Sequence, residues 1–109
     1  MRGSDILERL ARVLQERHRD LPEGSYVSSL FGGGHPAIAS KVREEAEELI
    51  EAAGAHDTAH TVHEAADLLF HILVLLENAG IAPSVVLEEL ERRFGTSGLE
   101  EKASRVRRR

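Results

Sequence analysis

Residues 65–76 read AADLLFHILVLL. Only Asp67 and His71 interrupt the run, so a helix here is apolar nearly all round. Such a helix has to be covered on every side. A chain of 109 residues has few other helices to do this. Part of the surface is therefore expected to pack on a second copy. The expectation is an all-α fold, a four-to-five-helix antiparallel bundle, forming a homodimer that shares a helical core. The same run is too short and too polar to span a bilayer, so no membrane association is expected.

The flanking sequence supplies the other helices. Ile6, Leu7, Leu10, Val13 and Leu14 recur at helical spacing and make one apolar stripe on a first helix from Asp5 to about Arg19. DLPEGSYVSSLFGGGH, residues 20–35, then breaks the pattern with Pro22, Gly24 and three consecutive glycines, and reads as a loop with at most one short turn. Pro36 suits the first turn of a second helix ending at Gly54, with Ile38, Ala39, Val42, Ala46, Leu49 and Ile50 at helical spacing. The third helix starts between Asp57 and Thr61, either of which can cap it, and ends at Gly80. Pro83 opens a fourth, PSVVLEELERRF, closed by Gly95. Ser97 with Glu100 has the form of a capping box for a short terminal helix.

Composition narrows the function. There is no cysteine, which removes disulfides, thiolate zinc sites and a cysteine nucleophile, and suits a cytoplasmic protein. Residues 1–20 lack the apolar centre of a signal peptide. The net charge is −5, but RVRRR at residues 105–109 holds four arginines; without them ten basic residues face 19 acidic ones, a balance of −9. An acidic body argues against nucleic acid as a partner. Residues 1–109 read as one domain, with 104–109 a frayed basic tail.

The acidic residues are concentrated. EEAEE places Glu44, Glu45, Glu47 and Glu48 in five positions. At about 100° per residue, Glu44, Glu45 and Glu48 share one sector with Glu48 in its middle, and Glu47 turns outward. On the third helix Glu64 and Asp67 lie about 60° apart on one face. Asp67 stands among Ala65, Ala66, Leu68 and Leu69, where an unpaired carboxylate is expensive to bury. Residues 49–63 leave room for a helix end, a turn and a helix start, so the two groups can face each other across antiparallel neighbours. EEAEE alone reads as a solvated helix face. Paired with EAAD inside an apolar helix, it reads as a metal site.

Carboxylates from facing helices are a standard way to build a metal centre in a bundle. Oxygen ligands favour Mg²⁺, or Mn²⁺ in its place, over zinc. A di-iron centre asks for Glu-x-x-His pairs, and Asp67 stands where that histidine would be; His63 and His71 therefore do not point to iron. His71 reads as a core histidine or a partner for a carboxylate, and His35, His56 and His60 as loop or cap residues. A site made of carboxylates and a hard cation has no nucleophile of its own. Its natural substrate is a polyphosphate attacked by water. Lys41, Arg43, Arg17, Arg19, Lys102 and Arg105 are the nearby cations, and Lys41 and Lys102 are the leading phosphate contacts.

EEAEE…EAAD resembles the Glu-Glu-x-x-Glu…Glu-x-x-Asp signature of the all-α, MazG-like nucleoside-triphosphate pyrophosphohydrolases. GSYVSSL, KVREEAEELIEAA, HEAADLLFHILVLL and SGLEEKASR narrow the likeness to the phosphoribosyl-ATP pyrophosphohydrolase family, from about Ile6 to Arg105. The resemblance implies Mg²⁺-dependent hydrolysis of phosphoribosyl-ATP to phosphoribosyl-AMP and pyrophosphate, the second step of histidine biosynthesis, by an all-α dimer. It implies metal ligation by Glu44 or Glu45, Glu48, Glu64 and Asp67, with Glu45 or Glu48 orienting or deprotonating the water. It makes Ser25, Tyr26, Lys41, Lys102 and Arg105 candidate substrate contacts, although the Tyr26 ring would equally anchor its loop on the core. Arg43 and Val27 depart from the family pattern, where a small residue and threonine are common. The absence of cysteine points to the stand-alone hydrolase, not a fusion with a zinc-dependent cyclohydrolase. Two other readings use the same residues: a house-cleaning pyrophosphohydrolase of ordinary or damaged triphosphates, and a non-enzymatic module whose acidic patch binds a basic partner.

Overall fold

The computed structural model describes residues 3–94, which form four helices: α1 (Gly3–Asp20), α2 (Tyr26–Gly54), α3 (Thr58–Asn78) and α4 (Pro83–Phe94). The terminal capping box at Ser97 and Glu100, the basic tail, Lys102 and Arg105 lie outside the described residues. Three residues connect α2 to α3, so the two run antiparallel and pack along each other. Asp57 caps α3, its carboxylate accepting from the His60 backbone N–H at 3.0 Å, while Thr61 lies inside the helix. At the other end of the connection α2 unwinds through His56, a non-glycine residue at φ 58°.

The core is Leu14 from α1, Leu30, Phe31 and Ile38 from α2, and Leu73 and Val74 from α3. Leu14, Ile38 and Val74 are fully enclosed, each contributing about 1.5–3 kcal/mol of burial. His18 pins α1 to the pair: its ring stacks on Phe31 with centroids 4.3 Å apart, and its Nδ1 meets Glu77 Oε2 at 2.5 Å. Leu7 and Leu10 pack on the core, but Ile6 and Val13 stay exposed, so the α1 stripe is narrower than its spacing suggests. α4 packs on α1 and buries no residue fully.

Two expectations need correction. Residues 20–35 are not mainly loop: Ser25 caps a helix that begins at Tyr26, its Oγ accepting from the Ser28 N–H at 3.3 Å. That helix runs to Gly33, kinks at Gly34 (φ 72°, ψ −166°) and continues as the rest of α2. Val27, Leu30 and Phe31 drive this, because helical spacing carries all three into the core. Burial overrides the poor helix propensity of the glycines. Second, α3 as a whole is long and apolar enough to cross a membrane by length and composition, which the shorter run 65–76 concealed. It nevertheless buries Glu64 and His71 against its neighbours, the mark of a core helix.

One side of α3 has no cover among the described residues. Val62 and Leu69, 64% and 55% exposed, lie two turns apart on one face with Ala66 between them.

Candidate active site

The α2–α3 interface brings the carboxylates together. Glu45 and Glu64 are buried, at 5% and 6% exposure, and Glu48 lies partly exposed beside them. One donor atom from each of the three falls within 4.8 Å of the others. A second set, His63, Glu64 and Asp67, meets the same criterion, so Glu64 belongs to both. Glu48 and Asp67 are thus on the same side of the molecule, linked through Glu64. Glu44 and Glu47 are exposed and belong to neither set.

Two of these carboxylates are incompletely satisfied. Glu45 Oε2 and Glu64 Oε2 are buried without a hydrogen-bond partner. A buried, unpaired carboxylate oxygen costs several kcal/mol unless a proton or a cation meets it. The charge balance shows the strain. The hydrogen bond to Glu64, partial burial and the charges of Glu64, Glu45 and Glu44 push the Glu48 carboxyl up to about 7. Burial would also raise Glu64, but hydrogen bonds from Glu48, Glu45 and His60 outweigh it and hold Glu64 below the usual range. The buried unpartnered oxygens and the all-oxygen donor set fit a hard divalent cation.

Lys41 Nζ lies 3.5 Å from both Glu44 Oε1 and Glu45 Oε1, one turn before the cluster. Burial lowers the Lys41 ammonium, but Tyr26, Glu44 and Glu45 raise it further. Arg19 pairs instead with its neighbour Asp20. Tyr26, the first residue of α2, donates its hydroxyl to His71 Nε2 at 2.8 Å, and His71 Nδ1 donates to the Asp67 carbonyl oxygen at 2.8 Å. His71 is thus a core histidine whose partners are a phenol and a main-chain carbonyl. The Tyr26 ring anchors its segment on α3, and Ser25 spends its hydroxyl on the helix cap. Burial raises the Tyr26 phenol, with Glu45, Glu44 and Asp67 adding to the shift and Lys41 opposing it.

Two histidines that the sequence reading left outside the site border its carboxylates. His60 Nε2 meets Glu64 Oε1 at 3.1 Å, and His63 Nε2 meets Asp67 Oδ2 at 3.3 Å. Each pair is spaced i, i+4 on a helix, and that spacing was the available signal.

A helical bundle that gathers carboxylates from two adjacent helices around unpartnered buried oxygens defines an all-α protein with an acidic centre that could hold a metal ion. Residues 7–94 match the family model described as Phosphoribosyl-ATP pyrophosphohydrolase. The chain is an enzyme and belongs to the phosphoribosyl-ATP pyrophosphohydrolase family. Among curated proteins it is similar to the phosphoribosyl-ATP pyrophosphatase of Rhodopirellula baltica, 53% identical over 91% of this chain and 85% of that protein. The phosphoribosyl-ATP pyrophosphatase of Methylococcus capsulatus is 50% identical over 93% of this chain and 96% of that protein. That of Geobacter sulfurreducens is 52% identical over 93% and 94%.

Proposed function

We propose that this enzyme hydrolyses phosphoribosyl-ATP to phosphoribosyl-AMP and pyrophosphate in a Mg²⁺-dependent reaction, the second step of histidine biosynthesis. The observation that carries the reading is the Glu45–Glu48–Glu64 cluster with its two buried unpartnered oxygens. Family membership supports the substrate.

Glu45, Glu48, Glu64 and Asp67 would hold the cation. When bound, it neutralises charge on the phosphate oxygens and acidifies the attacking water, and Mn²⁺ can substitute for it. Glu45 and Glu64 are the rigid, buried donors. Glu48 sits partly exposed at the open edge, where its carboxylate orients the water and takes its proton. Glu44 stays at the rim as the partner of Lys41. Lys41 is only weakly held at 3.5 Å, and turns from the carboxylates to the substrate phosphates. Tyr26 presents a half-exposed ring beside the cluster, and Ser25 fixes where that segment starts. Lys102 and Arg105 add phosphate contacts in the reading that the family likeness suggests.

The uncovered Val62–Ala66–Leu69 face supports a homodimer packed through α3. The enzyme works as a single, soluble cytoplasmic domain. Analytical ultracentrifugation tests the dimer: a monomer at micromolar concentration overturns it. The reaction is tested by pyrophosphate release from phosphoribosyl-ATP with and without Mg²⁺, beside deoxynucleoside triphosphates. Release that needs Mg²⁺ and is fastest on phosphoribosyl-ATP is expected. Faster hydrolysis of the deoxynucleotides would make this a house-cleaning enzyme, and no release on any of them would leave a binding module.

A further inference from the structure

The chain has one tyrosine, three phenylalanines and no tryptophan. Phe31 is buried in the core, Phe70 packs against that core, and Phe94 closes α4, which packs on α1. Tyr26 is the one of these rings that stands open beside the carboxylates, with 51% of its surface exposed. His71 holds it by one end. The hydroxyl donates to His71 Nε2 at 2.8 Å, and the two rings meet at 85° with centroids 5.9 Å apart. That contact engages the hydroxyl end of the half-exposed ring and leaves a face for a planar ligand. The proton is accounted for as well. Nδ1 of a neutral His71 faces the Asp67 carbonyl oxygen and must donate, so Nε2 accepts and the phenol is the donor. With its proton spent on His71, what Tyr26 offers a substrate is its ring.

The charges around the ring define what it suits. Lys41, Glu45, Glu44 and Asp67 all act on the phenol, three carboxylates against one ammonium. Glu44 belongs to neither metal-donor set, so its charge stays when a cation fills the centre. An electron-rich ring face beside an uncancelled carboxylate attracts a planar cation. Phosphoribosyl-ATP carries one. A ribosyl group at N1 of adenine makes the base a protonated amidine at neutral pH, whereas the base of ATP is neutral. We propose that the Tyr26 ring determines substrate specificity by stacking on the positively charged, N1-substituted adenine of phosphoribosyl-ATP, and so separates that substrate from ATP. The inference rests on the phosphoribosyl-ATP reading given above and adds the residue that makes the distinction.

The probes are α,β-methylene-ATP, which water does not cleave between its α and β phosphorus atoms, and its N1-methyl derivative, whose base is cationic without a second sugar. Calorimetric titration of the full chain in Mg²⁺ measures both on wild type, Tyr26→Phe and Tyr26→Leu. Both variants lose the bond to His71, so the difference between them isolates the ring; circular dichroism confirms folding. Wild type and Tyr26→Phe should bind the N1-methyl derivative roughly three- to tenfold more tightly than the parent, and Tyr26→Leu should bind the two alike. Tyr26 is the sole tyrosine in a chain without tryptophan, so wild-type emission reports the stack and depends on no variant. Quenching at saturation with the N1-methyl derivative is expected. No preference in wild type, a preference that persists in Tyr26→Leu, or unaltered emission at saturation overturns the proposal. Pyrophosphate release from phosphoribosyl-ATP by wild type is measured alongside. Intact release without the preference removes Tyr26 from recognition and leaves the proposed reaction standing; absence of both overturns both.

Discussion

Glu48 on α2 and Glu64 on α3 bring carboxylate oxygens within 4.8 Å of each other across the interface between the two helices. At that distance a proton kept on one of the two relieves the repulsion between them. The pair therefore titrates as a unit, one step above the ordinary carboxylate range and one below it. A cation that takes up both oxygens has to displace that proton. Below about pH 7, Mg²⁺ binding should release on the order of one proton, and above it almost none. Calorimetric titration in buffers of different ionisation enthalpy, at acid and alkaline pH, reads the proton count directly. Equal release on both sides of neutrality would show that no shared proton is present.

The same shift sets the pH dependence of stability without metal. The Glu48 carboxyl is near 7 when folded, against 4.5 when unfolded, so the folded chain binds more protons between those values. Its contribution is fully present below 4.5 and is lost as pH rises through 7. Glu64, held below 4.5, works in the opposite sense: its contribution is present above 4.5 and fades as pH falls through its folded value. Through the mildly acid to alkaline window, the melting midpoint in EDTA should therefore fall with rising pH, Mg²⁺ should reverse the trend, and Glu48→Gln should flatten it. A midpoint in EDTA that climbs through that window would contradict the assignment.

Glu45 is the most buried of the carboxylates, and one of its oxygens has no partner. Glu45→Gln keeps the shape and removes the charge. Metal-free stability should hold or rise, because the mutual repulsion of Glu45, Glu48 and Glu64 is relieved. Mg²⁺ affinity should drop on the order of 100-fold or more, and turnover with it. Thermal shift with and without Mg²⁺ separates these effects. If the variant lost metal-free stability and kept its Mg²⁺ response, Glu45 would be structural only.

Tyr26 is prominent in the family likeness, and its hydroxyl is committed to His71. Tyr26→Phe leaves the Nε2 of a buried histidine without its donor, a loss of about 1 kcal/mol given that water has access to the half-exposed ring. The melting midpoint should fall while KM stays near the wild-type value. A large rise in KM at unchanged stability would instead assign the hydroxyl to substrate.

Much of this arrangement was legible in the residues. Glu48 and Asp67 could be placed on facing helices because helical spacing and a short connection fix both positions, but the apolar neighbours of Asp67 misled: its side chain is 41% exposed, and Glu64, one turn earlier, is the buried carboxylate. The choice of Glu45 over Glu44 as the inward carboxylate was not legible, because the two differ by about 100° and only the packing of α2 on α3 decides which turns in. His60 and His63 were passed over because a histidine near a helix start looks like any polar cap until the side chain one turn later is known to be buried. The helix at residues 26–33 was hidden by its own glycines. Its signal, Val27 with Leu30 and Phe31, is three residues long and gains force only once the core is there to receive it.

That segment supplies the last prediction. Gly34 sits at φ 72° and ψ −166°, a conformation essentially confined to glycine, and the bend it makes joins the Tyr26 turn to the carboxylate-bearing part of α2. A Cβ on Gly33 would stand 2.7 Å from Ala37 Cβ, too close for either helix piece to keep its place. Gly34→Ala should cost about 1–3 kcal/mol through backbone strain, and Gly33→Ala a similar amount through overpacking. Gly32 has nothing near its Cβ position and an ordinary helical backbone, so Gly32→Ala should be neutral or slightly stabilising. Denaturant unfolding of the three variants ranks them. If Gly32→Ala proved as damaging as Gly34→Ala, a general demand for flexibility, and not one bend at one residue, would account for the glycine run.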